Sequence, residues 1–468
     1  MATPATARLA EERINERLDD IESLRDHASG DRLPLPYAAD ESDPAHLYLR
    51  EQASLPVLKL AVRSITKRLR LAGYSTGDAA RDAAAQAAWQ AARMDGRHRG
   101  AIEDSVVVGA GVISVWPNQV DPTRPQIVVE DPASCWHEPR LDGPGYAWAA
   151  KRWAKREMVN LRAPREIVVE MVTIFEPDEV TVFAKRNGKW QIEPLVDEAG
   201  NELANPAPNP FGHHLALVQI APDRDPKGNP RSWAKSLIPG SRAINTFRFD
   251  LLLAGHSAAF RQLFISGFDP VQRDEHGVIM WQKNRDGSPV LDENGYPKPV
   301  LRSPRVGIGQ VVTFSNKDTK LDSVPPVELD NYTEGLNYLM ESFAGAASMP
   351  VTSVGGSINQ VSAEALEQAA MEQIDLVSDF QDALSEDFER VFDLILLAIG
   401  LEPSGRTAEC EWAPGRSRSL AQIGSFISQT APHGVPPRIG LEMLPGATPD
   451  GVTRWLEEAP PARQDAPE

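Results

Sequence analysis

Cysteine is nearly absent: Cys135 and Cys410 are the only two in 468 residues, and they stand far apart. That excludes a disulfide framework or a thiolate metal centre as the organising device, and two reduced thiols are expected. Long apolar runs are missing too. The most hydrophobic stretch, "FDLILLAIGL", is too short to cross a bilayer and carries Asp393, while the opening "MATPATARLAEERINERLDD" is charged and amphipathic instead of leader-like. Neither secretion nor membrane insertion is expected. Positive charge is in deficit: 48 Lys and Arg face 66 Asp and Glu, a balance of −18, which excludes attraction of the whole surface to nucleic acid or anionic lipid. Catalytic signatures are lacking as well, with no GxSxG, no Walker loop and no paired-histidine zinc motif. No enzymatic activity, cofactor or metal is expected.

Two stretches imitate sites. "VVVGAGVIS" at 106–114, followed by "QIVVED" ending at Asp131, has the outline of a dinucleotide-binding strand, glycine turn and ribose-binding acid. It fails because Ser114 holds the third glycine position, and Pro117, Pro122 and Pro125 occupy the place of the phosphate-binding helix. A helix-to-strand turn is the better reading. Gly307 and Gly309 are a weaker match still. His213 and His214 are adjacent, yet neighbours on a strand point to opposite faces and no further ligand stands at metal spacing, so a surface pair is expected.

What is present is 41% hydrophobic content, enough for a buried core, in an order that predicts an α+β chain. Leu9, Ile14, Leu18, Ile21 and Leu24 predict a helix over 5–28, and a Pro- and Asp-rich linker follows. Further helices are expected at 55–73, 78–95 and 98–108. Strands follow at 112–116, 126–130, 144–153, 166–174, 179–185 and 189–192, with Asn187-Gly188 as a tight hairpin turn. Helical spacing returns with Ile244, Phe247, Leu251, Ala254 and Ala258, and Pro239-Gly240 is expected to kink or delay that helix.

Residues 269–327 read as a β-prone insertion with turn signals at Asp286-Gly287 and Asn294-Gly295. Leu329, Tyr332, Leu336, Leu339, Phe343 and Ala346 then predict a second helix with a narrow seam. "SMPVTSVGGSINQVSAEAL" gives a flexible neutral loop leading into a long helix over 362–400, with Ser362 as its N-cap. Ala370, Ile374, Val377, Leu384, Phe388, Val391, Ile395 and Ala398 mark the apolar face of that helix, which would run roughly 57 Å. The tail offers a strand at "ECEWAP", a helix near 419–429, and a last helix with Thr448 and Pro449 at its start; the final ten residues are expected to be disordered.

Between Glu328 and Gly400 stand 14 acidic residues and a single base, Arg390, which is most of the chain's whole imbalance. A solvated helix face is the plain explanation. Surface helices usually mix both signs, however, so an assembly whose neighbours pack through the apolar seam while the acids face water is the sharper one.

The order of elements, with "RSWAKSLIPGSRAIN…FRQLFISG" and "SMPVTSVGGSINQVSAEAL" as its local signatures, resembles the portal proteins of tailed bacteriophages, closest to the siphophage portals of actinobacterial viruses. The resemblance covers roughly residues 40 to 460. It implies a β-rich wing, two stem helices, a clip, a tunnel loop and one very long helix. By position, 1–40 would be an N-terminal helix and linker, 41–240 the wing, and 241–268 the first stem helix. The clip would be 269–327, the second stem helix 328–347, the tunnel loop 348–361 and the long wing helix 362–400, with wing or crown from 401 to 468.

The resemblance further implies a non-enzymatic dodecameric ring at the capsid vertex of the virion, assembled in the bacterial cytoplasm, through which double-stranded DNA is packaged and ejected. Its partners would be a terminase motor, a head-tail adaptor, and the major capsid and scaffold proteins, with no membrane. Thr352, Ser353, Gly355, Gly356, Ser357, Asn359 and Gln360 would border the DNA channel. Leu336, Leu339, Phe343, Ile374, Val377 and Leu384 would pack subunit against subunit. The alternative is a helical adaptor, scaffold or chaperone that presents an acidic surface.

Overall fold

The computed structural model describes residues 2–30, 44–143, 145–158, 166–196, 202–259, 263–266, 271–293, 295–301, 320–323, 329–356, 363–403, 408–413, 420–433, 435–442, 444 and 449–458. The helices are α1 (Pro4–Ser29), α2 (Pro44–Ala53), α3 (Val57–Thr66), α4 (Ala79–Ala91), α5 (Met94–Val107), α6 (Trp233–Ala259), α7 (Leu329–Ala346), α8 (Ala363–Ala398), α9 (Leu420–Thr430), α10 (Pro437–Glu442) and α11 (Pro449–Glu458). The strands begin with β1 (Leu71–Ser75), β2 (Gly111–Trp116), β3 (Gln126–Glu130), β4 (Cys135–Pro139) and β5 (Tyr146–Met158). They continue with β6 (Glu166–Phe175), β7 (Glu179–Arg186), β8 (Lys189–Ile192), β9 (Leu195–Val196) and β10 (Glu202–Leu203). The last are β11 (Ala207–Pro208), β12 (Leu217–Ile220), β13 (Leu263–Ser266), β14 (Lys320–Ser323) and β15 (Glu409–Trp412). Helices and antiparallel sheets coexist, which makes this an α+β chain.

Two compact units divide it. The first takes Met1–Tyr37, Ala53–Thr246 and Leu336–Glu468; the second takes Ala38–Gln52 and Phe247–Gly335.

In the first unit an antiparallel sheet runs in the order β11-β7-β6-β5-β4, with β8 beside β7. Alternation along β6 and β7 sends Val172, Ile174 and Phe183 to one face, where they close a core with Ala150 and Trp190. α1 covers that face through two small residues, Ala7 and Ala10, both fully buried. Small side chains let the helix lie close, and its Glu11 receives hydrogen bonds from Lys185 and Trp190 on the sheet. The segment read as a separate N-terminal helix is therefore part of the sheet's packing. The hairpin at Asn187-Gly188 forms as expected, with φ of 54° and 74° at the two positions.

A second sheet, β12-β2-β3, packs against α5 and α8. The glycines at its entrance have a packing role. A Cβ on Gly111 would lie 2.0 Å from the Ala101 carbonyl oxygen of α5, and Gly109, at φ 95°, would meet the Arg231 carbonyl carbon at 2.7 Å. The glycine-rich stretch thus serves a helix-to-strand turn in which backbone meets backbone.

Two expectations change here. The helix expected over 55–73 ends at Thr66, and "LAGYS" becomes β1, paired antiparallel with β15 from the far end of the chain. Local pattern cannot report a partner so distant. α6 does not wait for Pro239: it begins at Trp233 and contains that proline. The lost hydrogen bond is offset by burial of Ala234, Leu237 and Ile244, and Gly240 leaves room for Phe343 of α7, which a Cβ would approach to 3.0 Å.

In the second unit β13 and β14 pair antiparallel and close the base of the insertion. Within it the chain reverses three times. The amides of Gly277, Gly287 and Gly295 donate to the carbonyls of Asp274, Asn284 and Asp292 at 3.0, 3.1 and 3.1 Å, and all three glycines have φ near 80°. The expected turn at Gly287 is present; Asn294 lies outside the described residues.

Candidate functional site

The candidate region runs from α7 through the neutral stretch into α8. Its first part is an anchored turn, not a free loop. Ser348 takes a positive φ of 49°, and Val351–Val354 form a single 3-10 turn that stops at Gly355, φ 89°. Met349 and Val354 are buried, and the turn packs on α3. Of the residues expected to border a channel, Thr352 and Gly355 are exposed and Ser353 and Gly356 are half-buried. Ser357, Asn359 and Gln360 lie outside the described residues, as does the expected N-cap Ser362.

The residues expected to pack subunit against subunit have another use. Phe343, Val377 and Leu384 are 3%, 1% and 0% exposed inside this chain's own core, and Leu336 and Leu339 pack partly buried against the same cluster. Ile374 is half-buried. A side chain already removed from water in the isolated chain gains little apolar burial from a neighbour, so Phe343, Val377 and Leu384 build this chain's own core, while Leu336, Leu339 and Ile374 keep part of their surface. Leu329 and Tyr338 on α7 and Met371 on α8 remain exposed.

Beneath α8 the core is aromatic. Phe388 and Phe392 meet Trp89, Tyr74 and Trp412 at ring distances of 4.3 to 6.3 Å, and this ties α8 to α4, β1 and β15. Sequence periodicity located Phe388 but missed Phe392, since the apolar face of α8 is wider at its C-terminal half than one heptad seam.

The acids of α8 are not equivalent: Glu389 and Asp393 are half-buried, and Asp393 accepts from the Tyr74 hydroxyl at 3.4 Å. Asp387 is buried and accepts from Arg224 at 2.8 Å and from the Ala221 amide at 2.9 Å. Arg224 also donates to the Tyr146 hydroxyl at 2.7 Å and to the Gln219 carbonyl at 3.1 Å. Burial pushes the Asp387 carboxyl above its ordinary range, and Arg224 pulls it back. By contrast Glu372, Asp375, Asp379, Asp382 and Glu386 are all exposed, and they recur in steps of three and four. Together they make one acidic stripe of about 21 Å on the face away from the core. None of the five pairs with a base among the described residues.

Other titratable groups are structural. Burial pushes the Cys135 and Cys410 thiols up, away from the nucleophilic thiolate form. Burial holds His137 down at about 4, neutral, with Nε2 donating to the Leu217 carbonyl at 3.1 Å. His213 sits on the surface within 3.2 Å of Asp178, in keeping with the surface reading. Among the described residues no group of three or more potential ligands is placed to hold a metal, and no helix is long and apolar enough to cross a membrane.

No protein-family model matches this chain, and no curated protein matches it.

Proposed function

We propose that this chain is a portal-type ring subunit: a non-catalytic channel component at one vertex of a tailed-phage capsid, through which double-stranded DNA enters and leaves. One observation carries the reading. α6 and α7 bracket an insertion closed at its base by the β13–β14 ladder, and an anchored turn then leads into the 36-residue α8. That succession of helix, insertion, helix, turn and rod suits a subunit whose stem, clip and wing come from consecutive segments.

The charge supports it. DNA carries one negative charge per about 1.7 Å of axis, and each Lys or Arg contact grips it by releasing counterions. A channel for any sequence must avoid that grip, and a run of Thr, Ser, Gly, Asn and Gln with acids beyond it does so. The exposed acidic stripe also suits the second reading, a helical adaptor or scaffold with an acidic face, which would show no ring symmetry.

End-on electron-microscopy averages and native mass spectra of the purified chain decide between them. A closed ring, expected as a dodecamer, supports the portal reading. A monomer at every concentration and salt, together with absence from virions, ends it. Within rings, Ser353→Lys with Ser357→Lys is expected to impair DNA packaging while assembly persists; unchanged packaging argues against a channel role for the turn.

A further inference from the structure

We infer that the acidic stripe of α8 docks on the arginine-bearing start of α5 in a neighbouring copy of the same chain, so that the contact between copies is head-to-tail and electrostatic. This rests on the ring reading above and names the faces that would close the ring.

Both faces are locally unfavourable as they stand. Glu372, Asp375, Asp379, Asp382 and Glu386 place like charges at successive i,i+3 and i,i+4 positions, a spacing that destabilises an isolated helix. At the start of α5 the fault has the opposite sign. Arg93 is the N-cap, makes no side-chain capping bond, and holds the left-handed conformation at φ 58° and ψ 33°. Arg97 closes the first turn, where the helix dipole disfavours cations, and Arg99 follows in the second. All three arginines are exposed, and none forms an ion pair among the described residues. Asp95 lies between them and leaves the patch positive. Arg93 and Arg97 border a cleft with Gln126 and Val128 of β3, so the cations stand at the edge of a concave surface.

The two faults cancel when one copy's stripe meets the next copy's arginines. A closed ring needs two different, complementary faces on every subunit, and this pair supplies them. The apolar seams offer little to such a contact, since Phe343, Val377 and Leu384 are consumed within the chain and Leu336, Leu339 and Ile374 are partly so. At a net charge of −18 the copies repel one another at long range, so association calls for local complementarity of this kind.

Charge swapping on the full-length chain tests it, read as the association constant by sedimentation and as ring content by native mass spectrometry. Arg93→Glu with Arg97→Glu and Arg99→Glu is expected to weaken ring assembly at least about 100-fold, as is Asp375→Arg with Asp379→Arg and Asp382→Arg. Mixing the six changes in one chain should restore assembly to within about tenfold of the parent. Circular dichroism at low concentration confirms that each variant folds, as these exposed positions lead one to expect. Rings that survive either triple change, or that the combined variant fails to recover, overturn the pairing while leaving the ring reading intact. Loss of DNA binding with rings preserved in the arginine variant also overturns it, and assigns that face to nucleic acid. A parent chain that never forms rings instead removes the reading on which the pairing stands.

Discussion

α1 and α8 are both long amphipathic helices crowded with charge, and they treat that charge in opposite ways. On α1, Glu11 meets Lys185 and Trp190, Asp20 meets Lys235 at 2.7 Å, Arg25 meets Asp104 and Asp131 at 3.0 and 2.9 Å, and Arg13 and Arg17 lie over the Trp136 ring. Almost every turn finds its partner within the chain. On α8 the buried Asp387 is paired, but the five acids of the outer stripe are not. The lesson is that charge on a helix face turned toward its own chain is matched locally, whereas the outer stripe of α8 is left to water or, on the pairing proposed above, to another copy.

The comparison can be broken most strongly at the buried pair. Arg224→Ala takes the nearer cation from the Asp387 carboxyl, 3% exposed, and leaves only Arg390 at 3.8 Å, which should cost about 3 kcal/mol of unfolding free energy by urea titration. A loss under about 1 kcal/mol would mean that water reaches the site and that the pair does not organise this end of α8. Next comes the docking of α1. Glu11→Ala removes two charge-assisted bonds at a partly exposed position and should cost about 1–2 kcal/mol by the same measurement. An effect near zero would show that the buried alanines alone hold the helix.

The smallest effect is the most diagnostic. Asp379→Asn relieves repulsion from Asp375 and Asp382 and should stabilise the dissociated chain by about 0.2–0.5 kcal/mol while weakening association. Opposite signs in the two assays separate an interface acid from an ordinary solvated one.

Much of the first unit was legible in residue pattern. The strands at 166–174 and 179–185 alternate cleanly, and Asn187-Gly188 announced its own turn, because strand pairing across a hairpin is a local matter. Distant pairing was not legible: Leu71 to Ser75 looks like the continuation of α3 until Glu409–Trp412 is beside it. The candidate region was half-legible. Periodicity marked Val377 and Leu384 as an apolar face correctly, but it carries no information on whether the burying surface belongs to the same chain or to another. The acids were all visible as a count. Only their sorting into a buried Asp387, the half-buried Glu389 and Asp393 and an exposed stripe needed the fold, since Arg224 and Tyr74 lie far away in sequence.

The amino-acid order by itself determined most of the helices, the hairpin strands and turns, and that an excess of negative charge gathers between Glu328 and Gly400, because propensity, periodicity and formal charge are properties of neighbouring residues. Tertiary structure alone decided which apolar faces are consumed inside the subunit, which carboxylate is neutralised by a distant arginine, and which are left looking outward. Those outcomes depend on contacts between residues far apart in sequence, and desolvation and pairing act through space.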